Sequence, residues 1–540
     1  MFKRALFLPL VIVAVAPCQA AFPSQIKNII VIVQENRTPD NMFHFITPAC
    51  PIPRGAKGYQ ACMPSPVTTS CYDVSPCGLS NQSGTVVAIP LTGVSVAATA
   101  DPSHTHTAFN QMCDPDSSFR CRNDGAWKTL GSNGAYTYVL NPAVTNYDGS
   151  KGHLLDPYLT FAEQYGWANF MYQTNQGPSY PAHQFLFTGS SGLTDTDDAD
   201  SIFVAENFNG ITISPQAGCL LAPSTASAPT WNWVVQPATG SSKGCPLFDA
   251  NSVQECKVFN TKAVYPTQPV GNFCSSPRNL PMTVLDPHGI SWKYYAPSGS
   301  GIWAAPNAIL PICEPQFVNS TTLQCTGAEW NANMDTTVLG TGILTDIANC
   351  SLPEVSWVIP NGPWSDHAGT SGGTYGPSWV AAVINAIGNN PTCPAKTPDA
   401  GQTFWKDTAI LVTWDDWGGY TDNQPAIISK GLPCVFTKPA TPCPADYQMG
   451  FRVPLVVVSA YTPQGFISNT PHDFGSILRM IEGVHGLPEG MMGNADARST
   501  TDLSEFFRLA TPRAYQTVPA QKNAAFFQTY KGAALAPDND

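Results

Sequence analysis

Two pairs of adjacent oxygen donors stand at the ends of apolar runs. "IIVIVQENR" sets Glu35 and Asn36 just after the β-branched residues 29–33, and "AILVTWDDWGG" sets Asp415 and Asp416 after a second run. Carboxylate and carboxamide oxygens suit hard divalent cations. Neighbouring carboxylates repel, so they are usually held by a cation or share a proton. Ser179 lies between two prolines in "NQGPSYPAHQFLFTG", ahead of a helical stretch beginning near His183. A serine at a helix N-terminus faces free N–H groups that stabilise an anion attached to it; a simple N-cap serine is the plainer alternative. Only nine histidines occur, yet His104 and His106 share "DPSHTH", His288 sits in "LDPHGISW" and His367 in "WSDHAG". All are flanked by turn residues, where functional side chains concentrate.

The elements that must position these groups follow from hydrophobic pattern. Apolar runs at 28–33, 354–360, 409–414 and 454–460 each give way to polar residues, and helical patterns occupy 378–388 and 474–485. Runs of this kind are strands buried on both faces, and their alternation with helices predicts an α/β fold built on a doubly wound, mostly parallel sheet flanked by helices. Ligands in such sheets bind beyond the carboxyl ends of the strands. That is where both oxygen pairs fall.

Composition narrows the functional class. Net charge is −12 with no basic run, which argues against nucleic acid as a partner. Lys3 and Arg4, the apolar run 5–16 and Cys18-Gln19-Ala20 read as a secretory signal over 1–20, so a secreted or periplasmic protein is expected. No other stretch is apolar enough to span a bilayer. Seventeen cysteines, sixteen without Cys18, predict disulfides, with Cys71/Cys77, Cys113/Cys121, Cys313/Cys325 and Cys434/Cys443 as local pairs. Residues 21–540 read as one domain, with insertions rich in Pro, Ser, Gly and Cys around 47–99 and 216–281.

Eight segments appear in one order: "IKNIIVIVQENRTPDNMF", "DPSH", "GPSYPAHQFLFTGS", "HGISWKYY", "LPEVSWVIPNGPWSDH", "AILVTWDDWGGYTD", "FRVPLVVVSAY" and "FGSILRMIEGVHGLP". Together they resemble the bacterial and fungal phosphoesterase family of secreted acid phosphatases and phosphatidylcholine-type phospholipases C, within the alkaline phosphatase superfamily. The resemblance spans about 25–505 and implies an alkaline-phosphatase-like core. It also implies that Glu35, Asn36, Asp415 and Asp416 bind a divalent metal ion of unspecified identity, with Ser179 as nucleophile and further ligand. His104, His288 and His367 match histidines lining the phosphate pocket. Ala182 replaces the usual Asn, Trp417 stands where His often follows the acidic pair, and "YTDN" replaces Tyr-Asp-His. These departures bear on leaving-group recognition.

The implied chemistry is hydrolysis of a phosphate ester through a phosphoserine, with an acid phosphatase as the first expectation. Ser179 attacks in line, and His288 or His367 protonates the leaving alkoxide. A phospholipase C or other phosphodiesterase is the alternative, in contact with a phospholipid surface. Trp364, Trp417 and Tyr420 would then hold a choline-like group by cation–π contact. An exported binding protein without catalysis is the third expectation. Oligomeric state is not legible in the sequence.

Overall fold

This computed structural model describes residues 22–63, 70–97, 100–114, 121–191, 202–203, 218–220, 234–235, 280–319, 322–369, 374–390, 404–430, 446–488, 490–499 and 501–537. The expected signal segment, most of the expected insertion around 216–281 and the expected Cys434/Cys443 pair lie outside the described residues. Eight strands form the main sheet: β1 (Asn28–Gln34), β2 (Gly166–Ala168), β3 (Trp292–Tyr295), β4 (Met334–Asp335), β5 (Val355–Val358), β6 (Thr408–Trp414), β7 (Leu455–Ser459) and β8 (Phe466–Ser468). Their order across the sheet is β4-β3-β5-β1-β6-β7-β2-β8. Within this sheet β7 runs against both neighbours, while the other adjacent pairs are parallel. The four apolar runs read from sequence are the adjacent strands β5, β1, β6 and β7, and every residue of the four is buried. Burying each Ile or Val side chain there contributes about 1.5–3 kcal/mol.

Reversal of β7 sets what stands at each end of the sheet. Its polar continuation, Ser459–Thr462, emerges at the end of the sheet opposite to Glu35 and Asp415, because Leu455 pairs with Thr413 and Ser459 with Ala409. The residues preceding β7, including Arg452, therefore stand at the oxygen-rich end instead.

Four helices support these strands: α1 (Asp156–Gln164), α2 (Ser179–Thr188), α3 (Gly376–Gly388) and α4 (Phe474–Val484). Helices α1 and α3 pack together, and α2 packs on α4. Helix α4 opens with a capping box between Asp473 and Ser476, and α2 closes on Gly189 in the left-handed conformation at φ 76°. No described helix is long and apolar enough to cross a membrane.

Four disulfides join described residues: Cys50–Cys71, Cys62–Cys77, Cys113–Cys121 and Cys313–Cys325. Cys219 and Cys350 are also disulfide-bonded. The expected Cys71/Cys77 pair is thus corrected. Cys50 N–H donates to the Tyr72 carbonyl at 2.8 Å, which brings Cys50 rather than Cys77 beside Cys71. Both bridges close within residues 50–77.

Candidate active site

Beyond β1 and β6 the chain turns at once, and the two turns interlock. Asn36 takes a left-handed conformation at φ 61°, tolerable for an Asn. Gly418, also at φ 61°, passes so close that a Cβ there would sit 2.3 Å from the Asn36 carbonyl oxygen. A Cβ on Gly419 would sit 2.6 Å from the Pro102 carbonyl oxygen, just ahead of His104. The paired glycines after the two aspartates therefore serve close approach as much as turning.

This packing converges the two oxygen pairs. Asn36 N–H donates to Asp415 Oδ1 at 3.0 Å, as does Asp416 N–H at 2.7 Å. Gly418 N–H donates to Asp416 Oδ1 at 2.6 Å. Ser179, the first residue of α2, donates its hydroxyl to Asp416 Oδ2 at 3.0 Å and lies 3.3 Å from Asn36 Oδ1. Its hydroxyl is thus committed to the cluster. The N-cap position is Pro178, and no side chain caps the helix, so the plain capping role does not hold.

His183 completes the cluster, and sequence reasoning passed over it. It follows Ser179 by four residues on α2, one helical turn, so the two side chains share a face. Its Nε2 lies 3.2 Å from Glu35 Oε1 and 3.7 Å from Asp415 Oδ2. Burial lowers its pKa to about 4 against the opposing pull of Asp415. The ring is therefore neutral at neutral pH, and its contact with Glu35 is not an ion pair. The i, i+4 spacing from the candidate nucleophile was the available signal.

His104 and His367 stand on the same side. The Nδ1 of His104 meets the Pro102 carbonyl at 3.0 Å, and its Nε2 meets Asn36 Nδ2 at 3.1 Å. With Nδ1–H donating to Pro102 and Nε2 accepting from the Asn36 amide, Asn36 Oδ1 is left facing Ser179. His367 Nδ1 meets the Ala368 carbonyl at 2.5 Å, and its ring centre is 6.4 Å from that of His104. His106 opens the helix His106–Cys113; its side chain lies outside the described part.

His288 is not brought to this cluster. It precedes β3, whose Trp292 is level with Val355 of β5, which in turn is level with Ile29 at the start of β1. Glu35 lies beyond the other end of that strand. His288 is exposed and holds the Val284 carbonyl at 2.7 Å. The physical reason is its place before a parallel strand rather than after one.

The aromatic trio offered for a choline-like group is likewise corrected. Trp364 is enclosed by Trp379, Phe527 and Tyr530. Trp417 packs among Phe109 and Phe451, with its indole N–H 3.2 Å from Met112 sulfur. The Tyr420 ring already carries the Arg37 guanidinium, 4.9 Å from its centre. All three rings are buried.

The donor set fits a cation. Glu35, His183 and Asp415 each offer one ligand atom, and all three atoms lie within 4.8 Å of one another. Asp415 Oδ2 is buried and takes no hydrogen bond among the described residues. A buried carboxylate oxygen in that state is costly unless a positive charge approaches it.

A mixed α/β sheet with acidic groups, a serine and histidines gathered beyond its parallel strands defines a class of enzyme-like site. The Phosphoesterase family matches residues 26–488, and the chain belongs to that family, one of hydrolases acting on phosphoric ester bonds. Among curated relatives, "Non-hemolytic phospholipase C" of Burkholderia pseudomallei (strain K96243) is 28% identical over 225 residues, covering 37% of this chain and 30% of that protein. "Phospholipase C A" of Mycobacterium tuberculosis (strain ATCC 25618 / H37Rv) is 27% identical over 238 residues, covering 42% of this chain and 43% of the relative. "Hemolytic phospholipase C" of Pseudomonas aeruginosa is 22% identical over 278 residues, covering 46% and 36%. The match thus spans less than half the length of each. A solved structure of Ps i-CgsB shares 9% identity and a TM-score of 0.26 over 65% of this chain and 70% of that one, too little to bear on the fold.

Proposed function

We propose that this chain is an exported, metal-dependent phosphoesterase with an alkaline-phosphatase-like core, working through a phosphoserine at Ser179. The single observation that supports this most is the Ser179 hydroxyl, held 3.0 Å from Asp416 Oδ2 within a buried cluster of oxygen donors. Glu35, Asn36, Asp415, Asp416 and Ser179 would hold the cation, which when bound neutralises phosphoryl charge and lowers the nucleophile's pKa.

The chain's own residues account for the remaining steps. Asp416 accepts the Ser179 proton as Oγ bonds to phosphorus, and the bond to the leaving alkoxide breaks. The alkoxide takes a proton from His367, since His288 stands at the far end of the sheet. Water then cleaves the phosphoserine. His104 acts as a positioning residue that fixes the Asn36 amide.

Between an acid phosphatase and a phospholipase C, the relatives' names favour the second, whereas the enclosure of Trp364 by other rings and the Arg37 guanidinium already over Tyr420 favour a substrate without a choline-like group. We favour a monoester. Purified, metal-supplemented protein should be assayed on aryl phosphate, aryl phosphorylcholine and phosphatidylcholine vesicles. Monoester turnover at least tenfold above the other two supports the phosphatase reading; preference for the choline substrates replaces it with the phospholipase, and inactivity on all three leaves the exported binding protein.

A further inference from the structure

His183 belongs to neither oxygen pair. Its ring is 1% exposed. A cation held at about 2.0–2.2 Å keeps neighbouring ligand atoms roughly 3.0–3.6 Å apart. The His183 Nε2 separation from Glu35 Oε1, 3.2 Å, falls at that spacing, and the 3.7 Å to Asp415 Oδ2 lies just beyond it. A hydrogen bond from Nε2–H to Glu35 would explain the first contact alone. It leaves Asp415 Oδ2 buried without a hydrogen bond among the described residues. A shared cation explains both.

We propose that His183 is a nitrogen ligand of the cation, so that the site selects a borderline transition-metal ion such as zinc or iron over calcium and magnesium. The inference rests on reading the cluster as a metal site, and it goes beyond that reading in naming a ligand and a metal class. Imidazole favours zinc, iron and copper, whereas an all-oxygen set suits magnesium, calcium and manganese. Helix α2 builds this in by carrying nucleophile and nitrogen one turn apart. Replacing the nitrogen with an oxygen should therefore change which ion is kept while leaving a site that still binds one.

The test uses the full chain, stripped by chelation and reloaded. Competition dialysis of zinc against excess calcium and magnesium, read by elemental analysis, should leave zinc bound to the wild type. His183→Gln should lower zinc affinity by about tenfold or more while shifting calcium affinity less than about threefold. An equal loss for every ion would show that His183 merely orients Glu35, and would overturn the proposal. Copper-loaded wild type should show imidazole nitrogen coupling in pulsed electron paramagnetic resonance. Absence of that coupling overturns the proposal even where the variant fails to fold, as does its persistence in folded His183→Gln. Ser179→Ala separates the two readings, because it should lose turnover and keep zinc selectivity. Selectivity without turnover on any phosphate ester removes only the phosphoesterase reading, and turnover with calcium preferred removes only the nitrogen ligand.

Discussion

Two buried acidic clusters lie beside each other at the same end of the sheet, and the same two loops build both. Residues 35–36 and 415–416 form the first. A few residues further along those loops, Asp40 and Asp422 join Asp73 around Arg452. There the chain supplies its own counter-charge. Arg452 Nε and Nη2 hold Asp422 Oδ1 and Oδ2 at 2.6 and 2.9 Å, and Nη1 donates to the Asn169 carbonyl at 2.6 Å. Both Asp40 oxygens accept backbone N–H groups, from Ser75 and Asn423, each at 2.7 Å. In the first cluster the group between Glu35 and Asp415 is instead a histidine that burial keeps neutral. Saturated hydrogen bonding around a guanidinium makes a structural knot. A carboxylate oxygen without a hydrogen bond among the described residues, beside a neutral imidazole, belongs to a group that could hold a cation.

Removing the nucleophile should separate the two clusters most widely. Ser179→Ala should reduce turnover roughly a thousandfold or more with folding unaltered, as steady-state assay and circular dichroism would report; near-normal turnover by folded protein would refute the assignment. Arg452→Met should have the reverse profile. Uncovering buried carboxylates costs about 3–5 kcal/mol, so urea denaturation should show a large loss of stability while the folded fraction still turns over substrate. If that variant is as stable as wild type, the knot is not structural. Chelation probes the first cluster alone. Metal present at a hundredfold its dissociation constant stabilises the fold by about 2.7 kcal/mol, so EDTA should lower the Tm of wild type, and an unchanged Tm would count against a bound cation.

A smaller effect concerns Asp366, which lies in the loop after β5 and touches neither cluster's carboxylates. Burial pushes its pKa from 3.8 up to about 6, against the Tyr158 hydroxyl and Arg37, which pull it down. Below pH 3.8 the group is protonated in both folded and unfolded chains, and it contributes nothing. As pH rises toward 6 the unfolded chain ionises first, so stability falls, by about 3 kcal/mol at most. Asp366→Asn should flatten that part of the stability–pH curve; an unchanged slope in urea titrations between pH 4 and 6 would assign it to other groups.

Much of the fold was legible because its signals are local. Short, nearly continuous apolar runs, led by the five β-branched residues 29–33, mark strands buried on both faces, and β1, β5, β6 and β7 follow from that. The oxygen pairs were legible because strand ends in open sheets face ligands. Less local features were not. The direction of β7 depends on its pairing with β6 across a long connection, and its hydrophobic pattern carries no sign of it. The Cys50–Cys71 and Cys62–Cys77 pairing depends on how the chain folds back at Tyr72, and nearness in sequence was a poor guide.

The strands, the donor residues at their ends and the serine that opens α2 are each written in a few consecutive residues, and for these the sequence sufficed. Which donors meet was left to tertiary packing. That packing brought Asn36 against Gly418, turned the Ser179 hydroxyl to Asp416, admitted His183 and left His288 at the far end. It also buried the three aromatic rings. The reason is physical: a side chain's type and its local backbone are set by neighbours along the chain, but distances between groups hundreds of residues apart are set by strand order and close packing.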